Sequence, residues 1–451
     1  MTFMFIFKKC IALFILICVL LSLTGCWDNT EIDDMAYVVS IGLDKGTQNV
    51  LKLSMIIANP KNIVGGGGGG DMNGSVKKQG GSDKGKESSE LVTVETPTIP
   101  AGLNMVNTFI SRKISLAHLK AVVFSEELSK EGVGKFLDYF NRDREVRGIS
   151  NVIVAKGSSD DFLRAVKPVL ETNPSKYIEL TALATSYTAF IAKTTIGKFT
   201  RDTESYDEQP IAVLGGINKQ VTNEDEPITF MEPFRKEPGA ANPNEGDYIA
   251  GEIPRKGYVE RELGGTAIFD GDKMVGEFSA IETSTMLLLR GEYTRNFWSM
   301  EDPLKKGYYV PIDLRVKKAP SIKITRNGNK FDIDVKLNLE GSIMAIQSGI
   351  NYENEQYMMV LEESVKNTIT RLAEKIIKIA QKEYKSDVFK FGDYARRTFW
   401  LEDDWEKANW KSLFPDATVK VETDFHVTRT GLIYKTNPII SSKGVKKNST
   451  D

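Results

Sequence analysis

Histidine is nearly missing from this chain: two occur in 451 residues, His118 and His426, far apart in sequence. General acid–base catalysis relies most often on histidine, and zinc sites need His, Cys or acids at short spacing. Neither residue has such neighbours. His118 reads as a packed or edge residue within the strand run Ser115–Phe124, and His426 as one alternating with Phe425 and Val427 on a last strand. No Gly-x-Ser-x-Gly elbow occurs, and the six glycines at 65–70 lack the Lys-Ser/Thr ending of a phosphate-binding loop. Glu402-Asp403-Asp404 offers carboxylates for glycoside hydrolysis, but consecutive acids ahead of Trp405 fit a solvated helix start better. A net charge of −2 from well-mixed charges excludes an overall basic field for nucleic acid. These shortages speak against an enzyme and leave no residues to nominate for a metal or cofactor.

Cysteine is scarce as well, at positions 10, 18 and 26 alone, and long apolar runs are limited to one. That run is Ile11–Leu23, preceded by Lys8 and Lys9 as the only charges and followed by Thr24 and Gly25. A positive start, an apolar stretch and a small-residue site in that order mark an export signal over residues 1–25. From Cys10 to Leu23 the stretch falls short of the ~20 residues needed to span a bilayer, although Thr2–Phe7 is apolar too and lengthens the possible span. Leu23-Thr24-Gly25-Cys26 resembles the bacterial lipobox, whose cysteine is lipidated and becomes the first residue of the mature chain. Cleavage there leaves one cysteine, which can form no internal disulfide and which lipidation would occupy. A diacylglyceryl group supplies the two chains needed for stable anchoring, each buried methylene contributing ~0.8 kcal/mol. The expectation is an ectodomain on the outer face of the cell membrane. Trp27, Asp28, Glu31, Ile32, Asp33 and Asp34 follow at once. Their acids make either an acidic tether or a docking strip for an integral partner, and the residues alone leave both open.

Beyond the signal the pattern is mixed. Ala36–Leu43 and Asn49–Ala58 form a hairpin around Asp44-Lys45-Gly46, and the glycine-rich segment 65–90 is a disordered loop that interrupts a domain. As a flexible coil it would span roughly 25–31 Å. Helices are expected at Ala101–Arg112, Val133–Asn141, Asp160–Val166 and Ile178–Ile191, with strands at Ser115–Phe124 and Ile149–Ala155. Residues 202–254 are rich in Pro, Gly, Asn and acids, with a short strand at Ile211–Leu214. A hairpin turns at Asp270-Gly271-Asp272, and Thr283–Leu289 is a short helix. Strands follow at Tyr308–Lys317, Ser321–Thr325 and Phe331–Glu340, the last alternating strictly. The strongest helix in the chain, Asn354–Tyr384, comes next, then short helices around Tyr394 and Trp405 and a final strand Thr418–Val427. The fold class is therefore α+β, or mixed α/β, with mostly antiparallel or mixed sheets and one long C-terminal helix on a β-meander. Three domains are expected, at 26–200, 201–305 and 306–451.

Several segments together resemble the Ger(x)C family, the lipoprotein C subunits of nutrient germinant receptors. They are Gly25-Cys26-Trp27-Asp28 with Glu31-Ile32, Ser115–Glu127 followed by Gly132 and Arg142, Arg144 and Arg147, and Gly265–Gly276. The order Phe331–Ile343, long helix, Trp410, Phe414-Pro415 and last strand fits too. The glycine-rich segment and the stretch 202–254 depart from the family as expanded loops. The resemblance implies a three-domain ectodomain lipidated at Cys26, with Trp27, Asp28, Glu31 and Ile32 available for docking. It also implies assembly with an integral A-type subunit and a permease-like B-type subunit on the spore inner membrane. A solute-binding lipoprotein of a transporter is the alternative, sharing anchor and size; a cell-wall hydrolase lacks a catalytic set.

Overall fold

The computed structural model describes residues 34–58, 89–165, 176–179, 183–219, 248–257, 259–433, 435–437, 440–441 and 444–445, with scattered positions between 4 and 17. Cys26, Trp27, Asp28, Glu31 and Ile32 lie outside the described residues, as does the glycine-rich segment up to its last two positions.

Two sheets carry the fold. The first has nine strands: β1 (Met35–Lys45), β2 (Leu51–Ala58), β3 (Ser89–Thr96), β4 (Lys113–Ser115), β5 (Ala121–Ser125), β6 (Asn151–Ala155), β7 (Ile211–Ile217), β8 (Arg261–Asp270) and β9 (Lys273–Phe278). Its centre is parallel, β1 beside β5 beside β6 beside β7. Those strands are apolar almost throughout and buried on both faces, which is what parallel strands covered by helices require. The β1–β2–β3 meander and the β7–β8–β9 meander extend the sheet antiparallel on either side. Helices α1 (Ile99–Val106), α2 (Glu126–Glu131), α3 (Gly134–Arg142), α4 (Ser159–Arg164) and α5 (Ile196–Glu204) supply the crossovers and connections. Two cores result, one on each face, with Val38, Leu43 and Phe124 in one and Val39, Val123 and Phe162 in the other.

The second sheet runs β10 (Asn296–Glu301), β11 (Tyr309–Asn327), β12 (Lys330–Ile343) and β13 (Thr418–Arg429). β12 alternates as expected, with Phe331, Ile333, Val335, Leu337 and Leu339 all buried. Helix α6 (Ala280–Arg290) begins with a capping box from Ser279 and Glu282, ends on left-handed Gly291, and is buried along its whole length between the sheets. The long helix α7 (Glu355–Ile379) packs on β13 and buries Leu361, Val365, Ile369, Leu372 and Ile376. Short helices α8 (Phe391–Ala395), α9 (Glu402–Ala408) and α10 (Trp410–Leu413) follow it.

The structure departs from the sequence reading in four places. Ser115–Phe124 is two strands, because the Leu119 N–H bonds the Leu116 carbonyl at 2.9 Å and closes a turn. His118 therefore stands exposed in a turn rather than inside a strand. Ile178–Ile191 is not one helix: described positions 176–179 are helical, Leu183–Ser186 is a 3-10 turn, and Ile191 bridges to Gly265. The stretches 308–317 and 321–325 belong to one strand, β11, whose ladder is irregular around Ala319 and Pro320, where proline has no N–H to donate. β13 pairs parallel to β12 after the α7 crossover, so this sheet is mixed and only β10–β12 form a meander. Within residues 201–305, β7, β8 and β9 complete the first sheet, and α6 and β10 belong with the second.

Candidate functional site

Two regions gather the polar chemistry of the molecule. The first is the amino edge of the parallel strands, where the chain enters the fold. Met35 pairs with Lys113 and Tyr37 with Ser115 as β4 lies parallel to β1. Tyr37 meets the His118 ring edge-on. Glu145 ties the next loop beneath this turn, accepting from Ser115 Oγ at 2.8 Å and the Leu116 N–H at 2.6 Å. Ser150 Oγ donates to the Leu119 carbonyl at 2.8 Å from the other end of that loop. What remains outward is basic and apolar: Lys113, Arg144 and Arg147 are exposed, with Ile149 at 73% and Phe109 at 60% exposure. Part of the family signature noted in sequence, Ser115–Leu119 with Arg144 and Arg147, thus gathers at this edge, while its Ser125–Glu127 end lies at the carboxyl end of β5; His118 itself makes only a ring contact among its described interactions.

The second region is a buried seam that fastens the C-terminal half to the first sheet. Tyr384 Oη donates to the Glu277 carbonyl at 3.0 Å and Ser386 Oγ to the Phe269 carbonyl at 2.7 Å. Gly276 lets the Tyr384 ring lie directly on β9, where a Cβ would overlap it. Asp387, 1% exposed, accepts from the N–H groups of Phe389, Phe391 and Gly392 at 3.1, 3.3 and 2.8 Å and from Trp410 Nε1 at 2.8 Å. Burial still outweighs these donors and pushes its carboxyl up to about 6. Arg290, with no exposed side-chain surface, reaches Glu208, Glu292 and the Val388 carbonyl. Burial works against the charge on Glu292, but Arg290 and Lys390 hold its carboxyl down at about 2. Asp202 is pushed up to about 6 by burial, with Glu208 adding to the effect, although Lys198 bonds it at 2.6 Å. Trp405 Nε1 donates to Asp207 at 2.6 Å and completes the seam.

These buried ionisable groups are engaged with one another or with backbone, and their chemistry is that of attachment. Sequence reading missed them: Arg290 owes its role to Glu208 and Val388, 82 and 98 residues away, while Asp387 is closed in by N–H groups two to five residues on and by Trp410; the aromatic crowding from Phe389 to Phe414 was the one available signal. Glu402, Asp403 and Asp404 occupy the first turn of α9, and His426 pairs with Glu362 and Asp424 at the surface, as a solvated helix start and a strand residue would. A cleft of about 720 Å³ opens past the carboxyl ends of β6 and β7, lined by Lys156, Ser158, Asp161, Arg164 and Glu252. Lys156 is already held by Glu277 at 2.8 Å and Arg164 by Asp160 at 3.3 Å. Among the described residues no group of His, Cys, Asp or Glu is placed to hold a metal, and no helix is long and apolar enough to cross a membrane.

Fold and seam together define a mixed α/β protein of two sheets locked into one body by a polar, aromatic interface. The chain belongs to the spore germination B3/GerAC-like family: the model of the N-terminal domain of spore germination proteins matches residues 28–215, and the B3/GerAC-like C-terminal model matches 264–431. Bacillus subtilis strain 168 holds relatives along the whole length. YfkR is 26% identical over 435 residues, covering 95% of this chain and 98% of the relative. Spore germination protein KC is 23% identical over 441 residues, covering 96% and 98%. The crystal structure of the GerBC protein aligns with 86% of this chain and 96% of its own, at 16% identity and a TM-score of 0.48.

Proposed function

We propose that this chain is the membrane-tethered, non-catalytic subunit of a nutrient germinant receptor and is needed to trigger spore germination. The observation that carries the reading is the end-to-end match to spore germination proteins, one family model on each half of the chain. The seam supports a non-catalytic role, because its buried charges are spent on joining the two sheets. Lipidation of Cys26 would hold the protein on the outer face of the membrane, which in the spore is the inner membrane, with Trp27, Asp28, Glu31 and Ile32 next to the bilayer. Integral A-type and permease-like B-type subunits would be its partners, and the permease-like one is better suited to contact the germinant. Isolation of the tagged full chain from spore membranes tests this: both integral subunits should accompany it, and their absence would refute the assembly.

The 720 Å³ cleft favours one second reading, capture of a small solute by a transporter lipoprotein, since open α/β sheets bind ligands beyond the carboxyl ends of their strands. Saturable nutrient binding to the purified full chain, measured by calorimetry, would favour it.

A further inference from the structure

We propose that the amino edge of the first sheet rests on an anionic lipid surface, with phosphate headgroups taking Lys113, Arg144 and Arg147 and Ile149 entering the interface. This rests on the tethered reading above, from which it takes the anchor at Cys26. Asp34 follows Cys26 by eight residues. At full extension that length of chain spans no more than roughly 28 Å, so the entry to β1 cannot stand far from the headgroups.

The register then sets the heights along the sheet. Lys113 lies opposite Met35, whereas Ala121 and its partner Asn151 are level with Ser40, roughly 17 Å of strand further along β1. The Arg144–Ile149 loop hangs just before Asn151, fastened by Glu145 and Ser150. The opposite edge of the sheet stands the length of β1 further away, 11 residues or about 35 Å of strand.

Charge and apolarity agree with a lipid occupant. The acids of this edge are occupied: Asp143 by Tyr139, Glu145 by the β4–β5 turn, and Glu179 by Lys120. Lys113, Arg144 and Arg147 have no acidic partner among the described residues, and they flank an isoleucine that is 73% exposed. A protruding apolar residue among unpaired cations is the composition of a peripheral membrane contact. The acids of the tether, Asp28, Glu31, Asp33 and Asp34, are repelled by the same surface, so the contact falls to the folded edge and not to the strip before it.

The test uses the full, processed chain carrying Ile149→Cys, in which the new thiol is the free one once Cys26 is lipidated. It is labelled with an environment-sensitive fluorophore and reconstituted into phosphatidylcholine vesicles with or without phosphatidylglycerol. The expected result is a blue-shifted, severalfold brighter signal only with phosphatidylglycerol. It should be abolished by Lys113→Glu, Arg144→Glu and Arg147→Glu together and absent from a label at Asp161→Cys, beyond the carboxyl edge. Flotation with the vesicles and no shift at 149 would overturn the proposal and leave the tether standing. A shift seen only after the integral subunits are added would also overturn it, making the edge a protein interface. A chain that does not float refutes the tether and this placement with it.

Discussion

Tyr37 meets His118 edge to face, with ring centroids 4.6 Å apart and planes at 81°. The contact joins the third residue of β1 to the turn between β4 and β5, pinning the point where the chain enters the fold. Aromatic pairs in this geometry contribute about 0.5–1.5 kcal/mol beyond the area they bury. A double-mutant cycle of Tyr37→Ala and His118→Ala in urea should return a coupling in that range, with His118→Ala alone leaving the protein folded. Loss of folding from His118→Ala would assign the residue a larger role than a ring contact.

Asp387→Asn should destabilise the protein by about 1.5–3 kcal/mol, because an amide nitrogen would face one of the four donors now converging on the carboxylate. The pH dependence has a defined sign. Burial raises the carboxyl from 3.8 to about 6 in the folded state. Its stabilising contribution is therefore complete below about 3.8 and is lost as pH rises through about 6. Thermal midpoints of the wild type and variant should diverge as pH falls from 7 to 4.

Arg290→Met removes a wholly buried cation from between Glu208 and Glu292. Breaking a buried pair in this way costs about 3–5 kcal/mol, which chemical denaturation would read directly. Here the pH sign is opposite. Glu292 is lowered from 4.5 to about 2, so the stability it brings is present above about 4.5 and is lost as pH falls toward 2. The gap between wild type and Arg290→Met should narrow over that window.

Cys26→Ala should abolish incorporation of radiolabelled fatty acid and release the protein from the membrane fraction. A variant that still sediments with membrane would mean that an uncleaved helix or the partner subunits hold it.

Much of the fold was legible in the sequence because its signals are local. The strict alternation of Phe331–Leu339, the heptad-like spacing of Leu361 to Ile376 and the Asp270-Gly271-Asp272 turn each specify an element without reference to anything distant. Topology was not legible in this way. The apolar run of β7 says that both its faces are covered, but not that β6 and β8 are its neighbours across more than 40 residues of intervening chain. The β13 strand likewise carries no local mark of the parallel pairing that follows from the α7 crossover. The seam was the least accessible part, since Asp387 looks like a surface acid until Trp410 and three N–H groups close round it.

The most direct test of a germinant-receptor role is what nutrients do to spores that lack this chain. Dipicolinate release after nutrient addition should be lost in spores deleted for the gene, in a background without a redundant homologue, and restored by the wild-type chain. Full release from the deleted spores in response to every nutrient would contradict the assignment to a germinant receptor.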